Sequence, residues 1–274
     1  MTNTLPLEIE VIACPICGTR DHERTYYDER LPTRFVRCEQ CRSVYLNPRP
    51  GAAPRNSYYE NTDRQVRSQL RVAASREPAF RIISAALDRH KQRGACLDIG
   101  CGVGAMFDHL DGAAWRRFGI EPDPDLAGYA SAVHGAQVHA GTLDDADFPA
   151  AHFDLVTMID TIYLLSDPLA ALRRIHGLLK PGGVLAVEFA GQAYMLGRSI
   201  GLINYLLDGR WSRLRTDGRH LYFFTPDGMR DLLARAGFNP LECLAIPTIG
   251  RLMAACSERL LNYCPKLLCI AARN

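Results

Sequence analysis

Asp98, Glu121, the glycines Gly100, Gly102 and Gly104, and four cysteines in two C-x2-C pairs are the residues whose types and spacing can do chemistry. Leu97-Asp98-Ile99-Gly100-Cys101-Gly102-Val103-Gly104 carries an apolar strand into a bend with glycine at every second position. Glycine has no Cβ, so a ligand can approach the main chain closely there. A strand, a glycine-rich turn and a helix form the nucleotide-binding corner of open α/β sheets. Asp98 can accept hydrogen bonds from a cationic amine, such as the α-amino group of a methionyl moiety. Glu121 ends the next strand, where an acid suits the paired hydroxyls of a ribose. After the third strand, Gly141-Thr142-Leu143-Asp144 can bracket an adenine ring, and Asp160 ends the fourth strand facing the same crevice. Gly100, Gly102 and Ala105 also fit the looser dinucleotide pattern, so the loop alone leaves a dehydrogenase open.

Cys14-Pro15-Ile16-Cys17-Gly18 and Cys38-Glu39-Gln40-Cys41 can each place two thiolates on one cation. Together they complete a tetrahedral four-sulfur site of the structural-zinc type, with no coordination position left for catalysis. The expectation is Zn2+ held by Cys14, Cys17, Cys38 and Cys41. Cys96, Cys101, Cys243, Cys256, Cys264 and Cys269 show no ligand spacing and read as small buried apolar residues.

The elements that must position these residues follow from the pattern. Apolar runs at Cys96–Ile99, Arg117–Ile120, Ala136–His139, Phe153–Ile159 and Val184–Phe189 alternate with helical stretches at Ala105–Leu110, Asp125–Val133 and Pro168–Leu179. Thr225-Pro226-Asp227 starts a helix that stops at Gly237, and Leu241–Ile246 and Leu267–Ala272 are the last strands, with a helix near Gly250–Tyr263. Such alternation implies an α/β fold with a largely parallel sheet and helices on both faces. Residues 57–93 carry a helical pattern whose arginines (Arg64, Arg67, Arg71, Arg76, Arg81, Arg89) read as a solvated face.

A chain of 274 residues, 47% hydrophobic and 23% charged, suits one substantial domain with a small appendage. Its net charge of +2 lacks the basic footprint of a nucleic-acid binder. No apolar run approaches the ~20 residues of a membrane span. Met1 to Val11 lacks a signal-peptide layout, so a cytoplasmic protein is expected.

In order and spacing, the glycine loop, Glu121, the strand Phe153–Met158 and the turn Leu178-Leu179-Lys180-Pro181-Gly182-Gly183 resemble the class I S-adenosylmethionine-dependent methyltransferases. The resemblance covers residues 94–190, and Leu221–Pro226 through Ala236-Gly237-Phe238 extends it. The two knuckles and Tyr45-Leu46-Asn47-Pro48-Arg49-Pro50 resemble the zinc ribbon ahead of such domains in bacterial sugar, cell-surface and natural-product pathways. The resemblance implies a Rossmann-like seven-stranded sheet plus a small N-terminal zinc ribbon. It divides the chain into a ribbon (1–50), a helical linker or cap (51–93) and a cofactor-binding domain (94–274) with an acceptor-binding insertion (193–224). It implies S-adenosylmethionine contacts from Asp98, Gly100, Gly102, Gly104, Glu121, Thr142, Leu143 and Asp160, with Tyr58 or Tyr59 closing over the cofactor.

One departure stands out. Many members carry Glu-His just before the Asp-Pro after the fourth strand, where this chain reads Tyr163-Leu164-Leu165-Ser166-Asp167-Pro168. His220 and Tyr163 are then the candidates for a base or acceptor contact. The expected partner is a small-molecule acceptor: a sugar, a glycan or a natural-product intermediate. Five arginines in the insertion (Arg198, Arg210, Arg213, Arg215, Arg219) allow an anionic one. An RNA methyltransferase is the alternative, disfavoured because acids nearly balance the arginines between the knuckles. A catalytically altered S-adenosylmethionine-binding protein and a homodimer both stay open.

Overall fold

The computed structural model describes residues 9–27, 34–51, 62–90, 93–192, 194, 220–246, 261, 264 and 266–274. The N-terminal section supplies β1 (Ile9–Glu10), β2 (His22–Tyr27), β3 (Arg34–Cys38), β4 (Val44–Leu46) and β5 (Arg49–Pro50). Here β2, β3 and β4 pair antiparallel in sequence, while β1 pairs with β5. Two helices follow, α1 (Thr62–Ser75) and α2 (Glu77–Leu87). Pro78 lies in the first turn of α2, where a missing N–H breaks no helical bond, and Phe80, Ile83 and Leu87 form its buried stripe.

From residue 94, strands and helices alternate as β6 (Gly94–Ile99), β7 (Trp115–Glu121), α3 (Pro124–His134), β8 (Gln137–Ala140), β9 (Phe153–Met158), α4 (Pro168–Leu178) and β10 (Leu179–Ala190). Then come β11 (Tyr222–Phe223), α5 (Pro226–Arg235), β12 (Phe238–Ile246) and β13 (Lys266–Arg273). The expected helix after the glycine bend is only a 3-10 turn, Ala105–His109. Three helices start on an oxygen-bearing cap followed by proline. Asp123 accepts from the Asp125 and Leu126 N–H groups, Asp167 from Ala170, and Thr225 from Gly228. Such caps satisfy donors that the helix cannot.

Seven strands form the main sheet in the order β12-β13-β10-β9-β6-β7-β8. The run from β10 to β8 is parallel, and β13 is reversed between β10 and β12. The α/β, Rossmann-like seven-stranded expectation therefore holds, with one strand reversed. Parallel strands put their C-terminal ends on one edge. Reversal of β13 brings its first residue, Lys266, to that same edge.

Register also overturns one expectation. Cys243 and Cys269 read as apolar packing residues, yet β12 and β13 set them opposite one another, and they form a disulfide across a Cα–Cα distance of 4.3 Å. The sequence separation of 26 hides this pairing, which only strand register creates. The helix expected near Gly250–Tyr263 lies outside the described residues except for Leu261, as do Tyr58, Tyr59 and most of the 193–224 insertion with its five arginines. No helix among the described residues is long and apolar enough to cross a membrane.

The N-terminal strands are joined to the main domain. β11 adds to β4, making a four-stranded sheet in the order β11-β4-β3-β2. The Leu46 N–H donates to the Leu221 carbonyl at 2.9 Å. Arg49 Nη1 donates to the Tyr222 hydroxyl at 2.8 Å and to the Ser166 carbonyl at 2.7 Å. Thr225 Oγ1 caps α5 and also donates to the Cys41 carbonyl at 2.8 Å, while the Thr225 N–H donates to Ser43 Oγ at 3.1 Å. Thr225→Val should remove both the cap and this tie at a cost of roughly 1–3 kcal/mol. Thermal unfolding checks this, and an unchanged midpoint would refute the dual role.

Candidate active site

Asp98 is the penultimate residue of β6 and is 3% exposed. Thr157, its register partner on β9, donates from Oγ1 to Asp98 Oδ1 at 2.7 Å. Burial pushes the Asp98 carboxyl up to about 7, the Thr157 hydroxyl pulls it back, and the Glu121 charge adds to the rise. One hydroxyl is a thin shell for a buried carboxylate, so an ammonium group would be strongly favoured beside it.

Glu121, also buried, is held by backbone. Its Oε2 accepts from the Gly102 N–H at 2.9 Å and its Oε1 from the Asp123 N–H at 3.0 Å. Burial raises this carboxyl as well, against those two bonds. A carboxylate has about four lone-pair sites, so Glu121 keeps capacity for a diol.

Among the three glycines, the positive φ angles are 71° at Gly100, 55° at Gly102 and 81° at Gly104. A Cβ on Gly100 would lie 2.4 Å from Thr161 Oγ1, and one on Gly104 would lie 2.5 Å from the His134 ring. A Cβ on Gly102 would meet nothing within 4 Å. Protein neighbours thus demand the outer two glycines, while the middle one opens a cradle that a ligand can enter. Thr142 is exposed and Leu143 buried just beyond β8, with the Thr142 N–H donating to Asp145 Oδ1 at 2.8 Å. The structure thus brings Asp98, the glycine bend, Glu121, Thr142 and Leu143 along the edge of β6, β7 and β8.

Asp160 sits elsewhere on that edge, in the left-handed region at φ 57°. Its carboxylate pairs with Arg76 and with Lys266, and it accepts from the Tyr163 hydroxyl at 2.9 Å. Arg76 also pairs with the fully buried Glu188 of β10. The other Glu188 oxygen, Oε1, is buried and has no hydrogen-bond partner among the described residues. Tyr163 and His220, the two catalytic candidates, stack at 4.1 Å between ring centroids, and Phe223 lies parallel to His220 at 5.7 Å. Both Tyr163 and His220 are buried.

Arg76 corrects the reading of a uniformly solvated arginine face, since its side chain is 19% exposed and bridges two acids at the sheet edge. Sequence reasoning also passed over Glu188 and Lys266. Glu188 carried a signal, being a lone acid inside the apolar run Val184–Phe189. Lys266, at the entry to an apolar strand, carried none.

The Sγ atoms of Cys14, Cys17, Cys38 and Cys41 all lie within 4.8 Å of one another. The Cys14–Cys41 pair is 3.7 Å apart and the Cys17–Cys38 pair 3.4 Å. Tetrahedral zinc thiolates need sulfurs roughly 3.8 Å apart. Gly18 at φ 87° and Arg42 at φ 61° turn the chain just after each knuckle, and the Cys41 N–H points at Cys38 Sγ from 3.4 Å. The donor set and its spacing fit such an ion.

A family described as a methyltransferase domain matches residues 66–243. The ubiquinone biosynthesis O-methyltransferase of Ruegeria pomeroyi is 30% identical over 169 residues, with 53% of this chain and 60% of that protein covered. The mitochondrial arginine-hydroxylase NDUFAF5 of Rattus norvegicus is 29% identical over 199 residues, 65% of this chain and 55% of that protein. The chain thus spans about 60% of the length of these relatives. A solved Thermotoga maritima SAM-dependent methyltransferase aligns with a TM-score of 0.55 at 21% identity, covering 77% of this chain and 97% of its own. A chain from the Haloferax volcanii complex of a methyltransferase with its Trm112 activator aligns at 0.57 and 18%, covering 79% and 96%. At these identities the structures establish the fold alone.

Asp98 gives the site a pH signature. Its folded pKa of about 7 lies above the ordinary value of 3.8, so between the two the folded chain holds a proton that the unfolded chain has lost. Stability without ligand should fall as pH rises through that window. Asp98→Asn should flatten this part of the slope in denaturant unfolding, and an unaltered slope would exclude Asp98 as its source.

Proposed function

The chain belongs to the methyltransferase-domain family matched over residues 66–243, and on that premise we propose that it transfers a methyl group from S-adenosylmethionine to a small-molecule acceptor. The observation that carries this reading is the open Gly102 cradle between two buried acids, one still short of donors and one with lone pairs to spare. Asp98 receives the ammonium of the methionyl part, and Glu121 receives the ribose diol. Gly100, Gly102 and Gly104 let the backbone approach, Thr142 and Leu143 flank the adenine, and Tyr59, outside the described residues, completes the cofactor contacts of this reading. Asp160, held by Arg76, Lys266 and Tyr163, borders the cofactor.

Bound S-adenosylmethionine supplies a methyl group that is already electrophilic on its sulfonium. The chain's part is therefore to orient the acceptor, exclude water and handle one proton. Tyr163 and His220 form the acceptor side. The O-methyltransferase names of several relatives favour an oxygen acceptor, whether on a sugar, a glycan or a natural-product intermediate. The near-neutral charge of the chain weighs against RNA. The division into a ribbon (1–50), a helical cap (51–93) and a cofactor-binding domain (94–274) belongs to the same reading, with Cys14, Cys17, Cys38 and Cys41 holding structural Zn2+.

Calorimetry should find one S-adenosylmethionine per chain, and Asp98→Ala should weaken it at least tenfold, because the buried partner of the ammonium is lost. Affinity unchanged in that variant would place the ligand elsewhere. Metal analysis of the purified chain should find one zinc. Cys14→Ser should lose the metal and lower the unfolding temperature, and a metal-free wild type of equal stability would overturn the zinc assignment.

A further inference from the structure

Side chains alternate across a strand, and register partners share a face. Asp98 is partnered with Thr157 on β9 and Gly119 on β7, and Thr157 with Ala186 on β10. Glu121 lies two residues beyond Gly119, and Glu188 two beyond Ala186. Ala190, two further, is partnered with Lys266 of β13. Asp98, Glu121, Glu188 and Lys266 therefore share one face and one edge. Adjacent strands lie about 4.8 Å apart, so the second cluster begins about 10 Å from Asp98. The loop carrying Asp160 and Tyr163 spans the gap, since Thr161 abuts Gly100.

Among the described residues the second cluster has two cations, Arg76 and Lys266, and two acids, Asp160 and Glu188. Its aromatic part is just as ordered. The Lys266 ammonium lies 5.1 Å from the Tyr163 ring centroid and 4.9 Å from that of Tyr194, while Asp160 takes its charge. His220 stacks on Tyr163 and sits 5.4 Å from Tyr194. We propose that Lys266, framed by Tyr163 and Tyr194, is a specificity-determining residue that takes a planar hydroxylated acceptor, a phenol or an enol, and stabilises its oxygen as the anion.

Charge decides the class. Among the described residues the two cations face two acids, and a multivalent anion such as a phosphate would find those cations already paired. A neutral hydroxyl keeps the balance. Its proton passes to the Asp160 carboxylate, the electron pair stays on the acceptor oxygen, and Lys266 turns from the protonated acid to the new anion. No charge is created overall. In a water-poor site an ammonium is a better partner for the new oxyanion than ring faces alone, so Lys266 lowers the cost of this transfer. Aromatic neighbours of this kind favour edge-to-face or offset packing with a flat acceptor ring. A charged network retained here is also hard to explain by stability alone, because buried ion pairs rarely outperform apolar packing.

This inference rests on the methyltransferase reading, and the test separates the two. The probe is 4-nitrophenol, whose absorbance distinguishes phenol from phenolate, added to the full-length chain with S-adenosylhomocysteine. Saturable binding is expected, with the bound probe ionising at least one pH unit below its value in free solution. Lys266→Met should abolish that shift and Lys266→Arg should restore part of it, with S-adenosylmethionine affinity within twofold of wild type in both. A shift that survives Lys266→Met, a probe bound as the neutral phenol, or no saturable binding would overturn the assignment. So would a Lys266→Met variant that loses thermal stability alone, which would mark the network as a staple between the helices and the sheet. A wild-type chain that ignores S-adenosylmethionine would instead overturn the reading beneath it.

Discussion

Burying carboxylates at the C-terminal edge of a parallel sheet is the constraint around which this molecule is arranged. An ionised acid removed from water must be given donors or cations, or it takes up a proton. Asp98, Glu121, Asp160 and Glu188 face that demand and meet it differently. Asp98 has the Thr157 hydroxyl, Glu121 has two backbone N–H groups, and Asp160 and Glu188 share Arg76. The differences divide the edge into two halves. Where the shell is thin, as at Asp98, a cationic ligand group gains most. Where cations already balance the acids, the site suits a neutral group that ionises only as it reacts.

The N-terminal strands belong to the same arrangement. β4 extends through β11 into the segment that carries His220, and the Leu221 N–H donates to the Tyr163 carbonyl at 2.9 Å. Thr225 links the second cysteine knuckle to the start of α5 through the Cys41 carbonyl. The fold of the cysteine cluster therefore bears on where the Tyr163–His220 stack sits. Between the first half of the edge and this second half, Thr161 against Gly100 is a direct contact. Substitution at Gly100 would push on both.

Much of this was legible from local chemistry. The glycine bend and the acids at strand ends need neighbours only a few residues away in sequence or on the next strand. The proline just inside the Thr225 cap marked the start of α5, because a cap acts within one helical turn. The cysteine knuckles were equally readable, since the two cysteines of each pair lie on one tight turn. Arg76 was not. It lies among arginines that do face solvent, and nothing local distinguishes it from Arg81, which pairs with Glu77 on the surface.

The sequence by itself determined the α/β class, the glycine corner with Asp98 and Glu121, and the four-cysteine set, because each rests on short-range spacing and backbone preference. Tertiary structure alone decided that Lys266 and Glu188 share a face with Asp98, that Cys243 meets Cys269, and that β11 completes the N-terminal sheet. Those relations depend on strand order, direction and register. In this fold they join residues as far apart as Arg76 and Glu188, whose contact no periodicity along the chain encodes.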